Sequence, residues 1–157
     1  MQSNTSGVNR SMPSATVIPV LAYDDAQEAS AWLCTVFGFV ERLRIGEHRA
    51  QLIVGDGAVI VRRRDATADG EATDMASHEV MVRVADVDRY YERALTHGAC
   101  ILQPPTDFPY GERQYSVEDP GGHIWTFSQT LTDVAPEDWG GTVIGGDTRD
   151  ANEGATS

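Results

Sequence analysis

The sequence is short of several kinds of residue, and each shortage excludes a class of protein. Only 12 of its 157 residues are Lys or Arg, against 24 Asp or Glu, which gives a formal net charge of −12. Nucleic acids and anionic membrane surfaces both require a basic patch, so neither is an expected partner. No apolar run approaches the roughly 20 residues of a membrane span, and the Ser/Asn-rich N-terminus does not resemble a secretion signal. These features predict a cytoplasmic protein without a membrane segment.

Residues that commonly carry chemistry are also scarce. Cys34 and Cys100 are the only cysteines, and each is interpreted as a buried thiol, with a disulfide between them as the alternative. The four histidines have no spacing typical of metal ligands. The chain contains no Ser-His-Asp order typical of a hydrolase and no glycine loop typical of a phosphate site.

What the sequence does contain is a clear hairpin at residues 109–129. Two runs rich in aromatic and β-branched residues flank the turn signal Asp-Pro-Gly-Gly at 119–122, which predicts strands at 113–118 and 123–129. Side chains alternate between the two faces of a strand. One face therefore carries the bulky set Tyr115, Val117, Trp125 and Phe127, and favours a covering helix. The other face carries a smaller and more polar set: Gln114, Ser116, Ile124, Thr126 and Ser128.

The rest of the chain predicts two copies of one β-α-β-β-β pattern. The first copy has strands at 16–22, 40–45, 49–54 and 58–62, with a helix capped by Asp24 or Asp25 and ended by Gly38. The second has a strand at 78–84, a helix between Asp86 and Gly98, a strand at 100–103, a loop at 104–112 and the hairpin. The predicted division is a disordered N-terminus (1–14), a first module (15–64), a linker (65–76), a second module (77–130) and an acidic, disordered tail (131–157).

The tandem pattern, with Gly-Glu-Arg-Gln-Tyr at 111–115 and Asp-Pro-Gly-Gly-His-Ile-Trp-Thr-Phe at 119–127, resembles the vicinal oxygen chelate superfamily. This group contains glyoxalase I, extradiol dioxygenases, and the fosfomycin and bleomycin resistance proteins. The resemblance implies an α+β fold, in which tandem βαβββ modules form a curved, cup-shaped mixed sheet with helices on its outer face. It also implies a cavity inside the cup and pairing of two copies, so a homodimer is expected.

Enzymes of this superfamily hold a divalent metal at inward positions of the first and last strand of each module. Those positions correspond here to Ile18, Val61, Glu79 and Thr126. Isoleucine and valine cannot bind a metal and threonine is a poor ligand, whereas a catalytic metal needs about three protein ligands. His78 is adjacent to Glu79, but neighbouring residues of a strand point to opposite faces. No metal or other cofactor is therefore expected.

The resemblance is nearest to the metal-free members of the bleomycin resistance type. It implies a protein that sequesters a small organic ligand in a dimeric cup. The alternative is an enzyme of the same superfamily: a glyoxalase-like lyase, a dioxygenase, or a metal-independent isomerase or cyclase with Glu79 as the catalytic base. The candidate ligand-binding residues are Ile18, Val20, Val61, Glu79, Met81, Arg83, Tyr110, Gln114, Ser116 and Thr126. For Glu79 and Arg83, an ordinary solvent-facing strand surface or a structural ion pair remains the plain alternative.

Overall fold

A computed structural model describes residues 9–65 and 78–145 and shows two successive β-α-β-β-β modules. The first module consists of β1 (Val20–Tyr23), α1 (Ala26–Phe37), β2 (Val40–Ile45), β3 (Arg49–Val54) and β4 (Gly57–Arg63). The second consists of β5 (Glu79–Arg83), α2 (Val87–Thr96), β6 (Cys100–Phe108), β7 (Glu112–Glu118) and β8 (Ile124–Thr130). A short 3₁₀ helix, Pro136–Trp139, follows. The predicted linker (65–76) lies outside the described residues except for Asp65, as do residues 1–8 and 146–157 of the predicted termini.

Each module folds its four strands into one open, curved mixed sheet. The strand orders are β1-β4-β3-β2 and β5-β8-β7-β6. In both sheets the first strand runs parallel to the last, and the remaining neighbours are antiparallel. The repeat predicted from the sequence is thus a repeat of topology, and the predicted α+β fold class is confirmed.

Two strand boundaries near prolines differ from the prediction. Strand β1 begins only after Pro19, which has no N–H to donate to a neighbouring strand. Strand β6 continues to Phe108 through Pro104 and Pro105, where the sequence predicted a loop. Among the described strands β6 pairs only with β7, and its register shifts between Gln103 and Thr106. Prolines are tolerated at such irregular positions of an edge strand.

The helices begin at the predicted aspartate caps. Asp25 Oδ1 accepts a hydrogen bond from the Glu28 backbone N–H at 3.0 Å, and Asp86 Oδ1 accepts one from that of Arg89 at 3.2 Å. Helix α1 ends at Gly38, whose φ of 78° is a left-handed conformation that favours glycine. No helix among the described residues is long and apolar enough to cross a membrane.

The bulky face of the hairpin lies in the core, as predicted. Tyr115, Trp125 and Phe127 have no exposed surface. Phe37, at the end of α1, packs edge-on against Trp125 and Phe127 at ring-centroid distances of 5.4 and 4.8 Å. Because Phe37 belongs to the first module and the other two to the second, the two modules share one apolar core.

A buried carboxylate at the hairpin turn joins the modules at a second point. Asp119 Oδ2 accepts hydrogen bonds from the Tyr23 hydroxyl at 2.6 Å and from Trp125 Nε1 at 3.0 Å. Its Oδ1 accepts from the backbone N–H groups of Gly121 and His123 at 3.0 and 2.9 Å. Burial and this carboxylate raise the pKa of Tyr23 far above its ordinary value. Tyr23 therefore remains a neutral donor that holds β1 against the turn.

We expect Asp119→Asn to destabilise the fold by about 2–4 kcal/mol, because the new amide cannot satisfy all of the donors that converge on the buried carboxylate. Urea denaturation of the variant and the wild type measures the loss. Asp24→Asn is the matched control, since the Asp24 side chain is 95% exposed and should change stability by less than about 0.5 kcal/mol. Equal midpoints for the two variants would contradict this account of the junction.

Candidate functional site

The face of the second sheet opposite the helices carries polar side chains in rows, and we call it the polar face. Strand alternation and the register of β5, β7 and β8 place the rows side by side, with Met81 opposite Thr126 and Gln114 opposite Ser128. The core takes the intervening residues of the same strands. The members of the polar face are Glu79, Met81, Arg83, Glu112, Gln114, Ser116, Thr126, Ser128 and Thr130.

One end of the polar face is a closed group of three side chains. Thr126 Oγ1 donates to Glu79 Oε1 at 2.8 Å, and the hydroxyls of Thr126 and Ser116 lie 2.8 Å apart. Thr126 is buried, with 4% of its surface exposed, whereas Glu79 is exposed. The Glu79 carboxylate is thus held towards the sheet by its neighbour.

The other end is a longer chain of hydrogen bonds centred on Glu112. Its two carboxylate oxygens accept hydrogen bonds from the hydroxyls of Ser128 and Thr130, both at 2.6 Å. Gln114 Nε2 donates to Ser128 Oγ at 3.0 Å, and Arg83 Nη1 donates to Thr130 Oγ1 at 2.7 Å. Arg83 and Glu112 are therefore linked through the Thr130 hydroxyl, to which both are hydrogen-bonded.

A cavity of about 650 Å³ lies over the Glu112 end of the polar face. This volume falls within the range of small-molecule sites, roughly 300–1,000 Å³. The sheet side is lined by Met81, Arg83, Glu112, Gln114 and Ser128, and the loop before β7 adds Tyr110. Its remaining lining residues are Val134, Pro136 and Trp139, which follow the last strand. Apolar walls with a few convergent polar groups are the usual composition of a site for an organic ligand.

Four of the residues predicted for ligand binding come together at this cavity: Met81, Arg83, Tyr110 and Gln114. Glu79, Ser116 and Thr126 lie on the same face but do not line it. Glu79 and Arg83 are four positions apart on β5, about 13 Å along an extended strand. The Glu79 carboxylate and the Arg83 guanidinium are hydrogen-bonded to different threonines, Thr126 and Thr130. Each side chain is thus oriented by a threonine and not by an ion pair between the two.

The residues predicted in the first module do not join this cavity. The sequence places Val61 on a cavity wall, but in the structure Val61 has no exposed surface and packs in the core. Neighbouring residues of a strand point to opposite faces, so an error of one residue in the count is enough to explain the difference. Val20 is half-exposed on β1, and Ile18 lies just before that strand. The corresponding face of the first sheet is partly covered by the N-terminal residues. Gln51 Nε2, in a side chain only 2% exposed, donates to the Ser11 carbonyl at 2.9 Å.

Three functional candidates were missed by the sequence reasoning: Glu112, Ser128 and Trp139. The sequence predicts a loop at Glu112, but this residue stands two positions before Gln114 on β7 and so shares its face. The sequence places Ser128 on the polar face, and the structure adds that it lines the cavity. Trp139 lies in the predicted disordered tail, where a single Pro-Glu-Asp-Trp at 136–139 was the only signal of local structure.

A second groove, of about 680 Å³, lies where the modules meet. Its walls are mainly apolar, with Val54, Val59, Val80 and Val82 among them, and Asp56 and Arg83 as its charged side chains. No Ser, Thr, Asn or Gln side chain is among its lining residues, whereas the cavity over the polar face has Gln114 and Ser128 beside its charged groups, and we therefore favour that cavity as the ligand site.

The family fold implies a divalent metal, but the donor set does not fit one. Of the four implied positions, Val61 lies in the core and only Glu79 carries a carboxylate, which already accepts a hydrogen bond from Thr126. Across residues 9–65 and 78–145, no three His, Cys, Asp or Glu side chains converge to form a metal site. The side chains of the polar face instead form hydrogen bonds with one another.

Comparison with known proteins gives the family. The model described as the Glyoxalase/Bleomycin resistance protein/Dioxygenase superfamily matches residues 16–127, and the chain belongs to this superfamily. The superfamily shares a fold among proteins of different activities, so membership alone does not choose between binding and catalysis.

Individual proteins are similar to this chain in sequence or in fold. TioX from Micromonospora sp. ML1 is 39% identical in a match that covers 75% of this chain and 100% of TioX, with a TM-score of 0.63. A glyoxalase/bleomycin resistance protein/dioxygenase family enzyme from Burkholderia phytofirmans PsJN shares the fold at 19% identity, with a TM-score of 0.66 over 75% of this chain and 100% of its own. An uncharacterised protein of Mycobacterium bovis is 29% identical in a match 127 residues long that covers 74% of this chain and 84% of that protein.

We expect the protein to purify without a stoichiometric transition metal, because its polar face does not supply about three ligands. Elemental analysis for Zn, Ni, Fe and Mn, after expression in metal-supplemented medium, should find less than about 0.1 equivalent per chain. Calorimetric titration with Zn²⁺ and Ni²⁺ is the complementary measurement. Close to one equivalent of any of these metals, lost in Glu79→Gln, would contradict the expectation.

Proposed function

We propose that the chain binds and sequesters a small organic molecule without a metal, in the cavity over the polar face of the second module. The cavity carries this proposal, since its volume of about 650 Å³ and its mixture of apolar and polar walls suit such a ligand. Among its polar lining groups, Arg83, Glu112 and Gln114 can orient the molecule. Sequestration then follows from burial of apolar ligand surface, at roughly 25 cal/mol per Å².

Binding is favoured over general base catalysis by the positions of the two acids. Glu79, the base suggested by the sequence, does not line the cavity and accepts a hydrogen bond from Thr126. Glu112 does line it, but both of its oxygens accept hydrogen bonds from hydroxyl groups of the sheet. A general base must reach the proton that it abstracts, within about 2.6–3.2 Å or through one water. Both oxygens of the cavity carboxylate are thus engaged, and the second oxygen of Glu79, although it accepts no hydrogen bond among the described residues, lies off the cavity.

The thiols agree with a cytoplasmic setting for this function. Cys34 and Cys100 are both unpaired, and unpaired cysteines persist in a reducing compartment. We therefore place the proposed binding protein in the cytoplasm.

The binding test compares variants at the two ends of the polar face. For the tightest ligand from a small-molecule screen, Arg83→Met should raise the dissociation constant about 10- to 100-fold, the effect of a lost charge-assisted hydrogen bond of 1–3 kcal/mol. Glu79→Gln should change it less than about three-fold, because Glu79 lies off the cavity. Isothermal titration calorimetry measures both, with thermal melts to confirm that each variant is folded.

Arg89→Met, which removes an exposed arginine of α2 away from the cavity, is the matched control for the loss of charge. Unchanged affinity in Arg83→Met would refute the proposed site. Turnover of the ligand by the wild type that is abolished in Glu79→Gln would show the enzyme alternative instead.

We further propose that the binding unit is a homodimer, because apolar surface is left open beside the groove between the modules. Val17, Val20 and Met81 are 77%, 46% and 57% exposed, and β1 and β5 each have one edge without a partner among the described strands. Such edges and apolar surfaces are usually covered. Light scattering at micromolar concentration should give twice the chain mass of 17.1 kDa, with an interface of about 1,600 Å² in total. A single species of monomer mass would reject the dimer.

A further inference from the structure

The stretch that closes the cavity lies outside the family match. That match ends at residue 127, and the chain then continues as residues 131–141, which we call the closing segment. It holds the cavity residues Val134, Pro136 and Trp139. One side of the cavity is therefore built by residues beyond the matched part of the fold.

The closing segment is docked on the body of the second module through Gly111. The backbone N–H groups of Leu131 and Thr132 donate to the Gly111 carbonyl at 2.8 and 3.3 Å. Gly111 is buried, with a φ of 86°, and a Cβ there would lie 2.3 Å from the Thr132 carbonyl oxygen. Only glycine allows this close approach. The Gly-Glu-Arg-Gln-Tyr motif that indicated the family thus also provides the docking point.

The closing segment then turns so that Trp139 reaches the cavity. The 3₁₀ helix Pro136–Trp139 is closed by the Gly141 N–H, which donates to the Pro136 carbonyl at 2.7 Å. The Trp139 ring lies 5.2 Å from that of Tyr110, and Tyr110 in turn stacks on Phe108 at 5.4 Å with an interplanar angle of 10°. Trp139 remains 45% exposed. Part of the Trp139 side chain is therefore exposed beside the cavity and not buried in the core.

The cationic group that lines the same cavity is Arg83, which is also exposed. One guanidinium nitrogen donates to Thr130 Oγ1, and a guanidinium carries five N–H donors. Glu112, the acid of the cavity, already has a hydroxyl on each oxygen. Arg83 thus retains about four N–H donors and Glu112 about two lone-pair sites, so the remaining donors of the cation outnumber the remaining acceptors of the acid.

We propose that the closing segment is a wall of the ligand site, and that the ligand is a planar aromatic molecule bearing an anionic group. Its ring system packs against Trp139 and Tyr110, and its anion is bound by Arg83. The inference rests on the proposed function, and it adds the chemical class of the ligand and a contact residue from outside the matched fold.

The test uses four probes that separate ring from charge: 2-naphthoate, neutral 2-naphthamide, cationic 2-naphthylmethylammonium and the aliphatic anion cyclohexanecarboxylate. Titration calorimetry of the full chain should give the tightest binding for 2-naphthoate. Trp139→Leu and Arg83→Met should each weaken 2-naphthoate at least about ten-fold, while Trp139→Phe stays within about three-fold. Binding of 2-naphthamide should respond to Trp139→Leu and not to Arg83→Met.

Ile144→Ala is the control from the same end of the chain, since Ile144 is 92% exposed and lines neither the cavity nor the groove. Thermal melts check that each variant is folded. Because Trp139 is 45% exposed, we expect its substitution to leave the fold intact. Equal binding of 2-naphthoate by the wild type and Trp139→Leu would overturn the closing segment as a wall. Tighter binding of the cation or the aliphatic anion, or no binding of any probe, would overturn the ligand class. The proposed function fails separately, if Arg83→Met leaves the affinity for a ligand from the unbiased screen unchanged.

Discussion

The buried carboxylate of Asp119 is the interaction on which the arrangement of the modules most depends. A charged group with 4% exposure is costly unless it is fully hydrogen-bonded, and Asp119 accepts four hydrogen bonds. Two of them shape its own turn, one fixes Trp125 in the shared core, and one reaches across to Tyr23 of the first module. A single side chain thus sets the turn of the β7–β8 hairpin, the position of a core residue and the contact between the modules.

The hairpin that this turn controls has two faces with different tasks. Tyr115, Trp125 and Phe127 are fully buried against the helices, while the alternate residues form the polar face. A shift of one residue would exchange the two sets, so the large apolar side chains enforce the register on which the polar rows depend. The cavity is therefore positioned by the core behind it, even though the two share no side chain on β7 and β8.

The two modules share a topology but differ in what lies over their second faces. The first is partly covered by the N-terminal residues, through Gln51 and the Ser11 carbonyl, and Arg42 binds both Gln51 and the Arg10 carbonyl. The second receives the closing segment, which stands off the sheet and leaves a cavity. Duplication of a fold has thus not duplicated the site. The segments at the two ends of the chain account for the difference, and such segments vary more readily than the modules they border.

The sequence by itself determined the features that depend on local rules. The aspartate caps at Asp25 and Asp86, the turn at 119–122 and the alternation of the hairpin each need only a few neighbouring residues to be recognised. They were enough for the two modules and the buried aromatic residues, while the α+β class was implied by the family resemblance. Alternation also placed Met81 and Arg83 on one face of β5, because it is a local property of a strand.

Only the tertiary structure decided which residues meet across the chain. The count along β4 that placed Val61 on a cavity wall was off by one residue, an error that alternation turns into the opposite face. Glu79 accepts a hydrogen bond from Thr126, 47 residues away in the sequence, and does not line the cavity. The docking of residues 131–141 depends on Gly111 having no side chain where Thr132 passes. These are long-range contacts between surfaces, which composition and periodicity do not encode, and so the wall that completes the cavity could be recognised only in the folded chain.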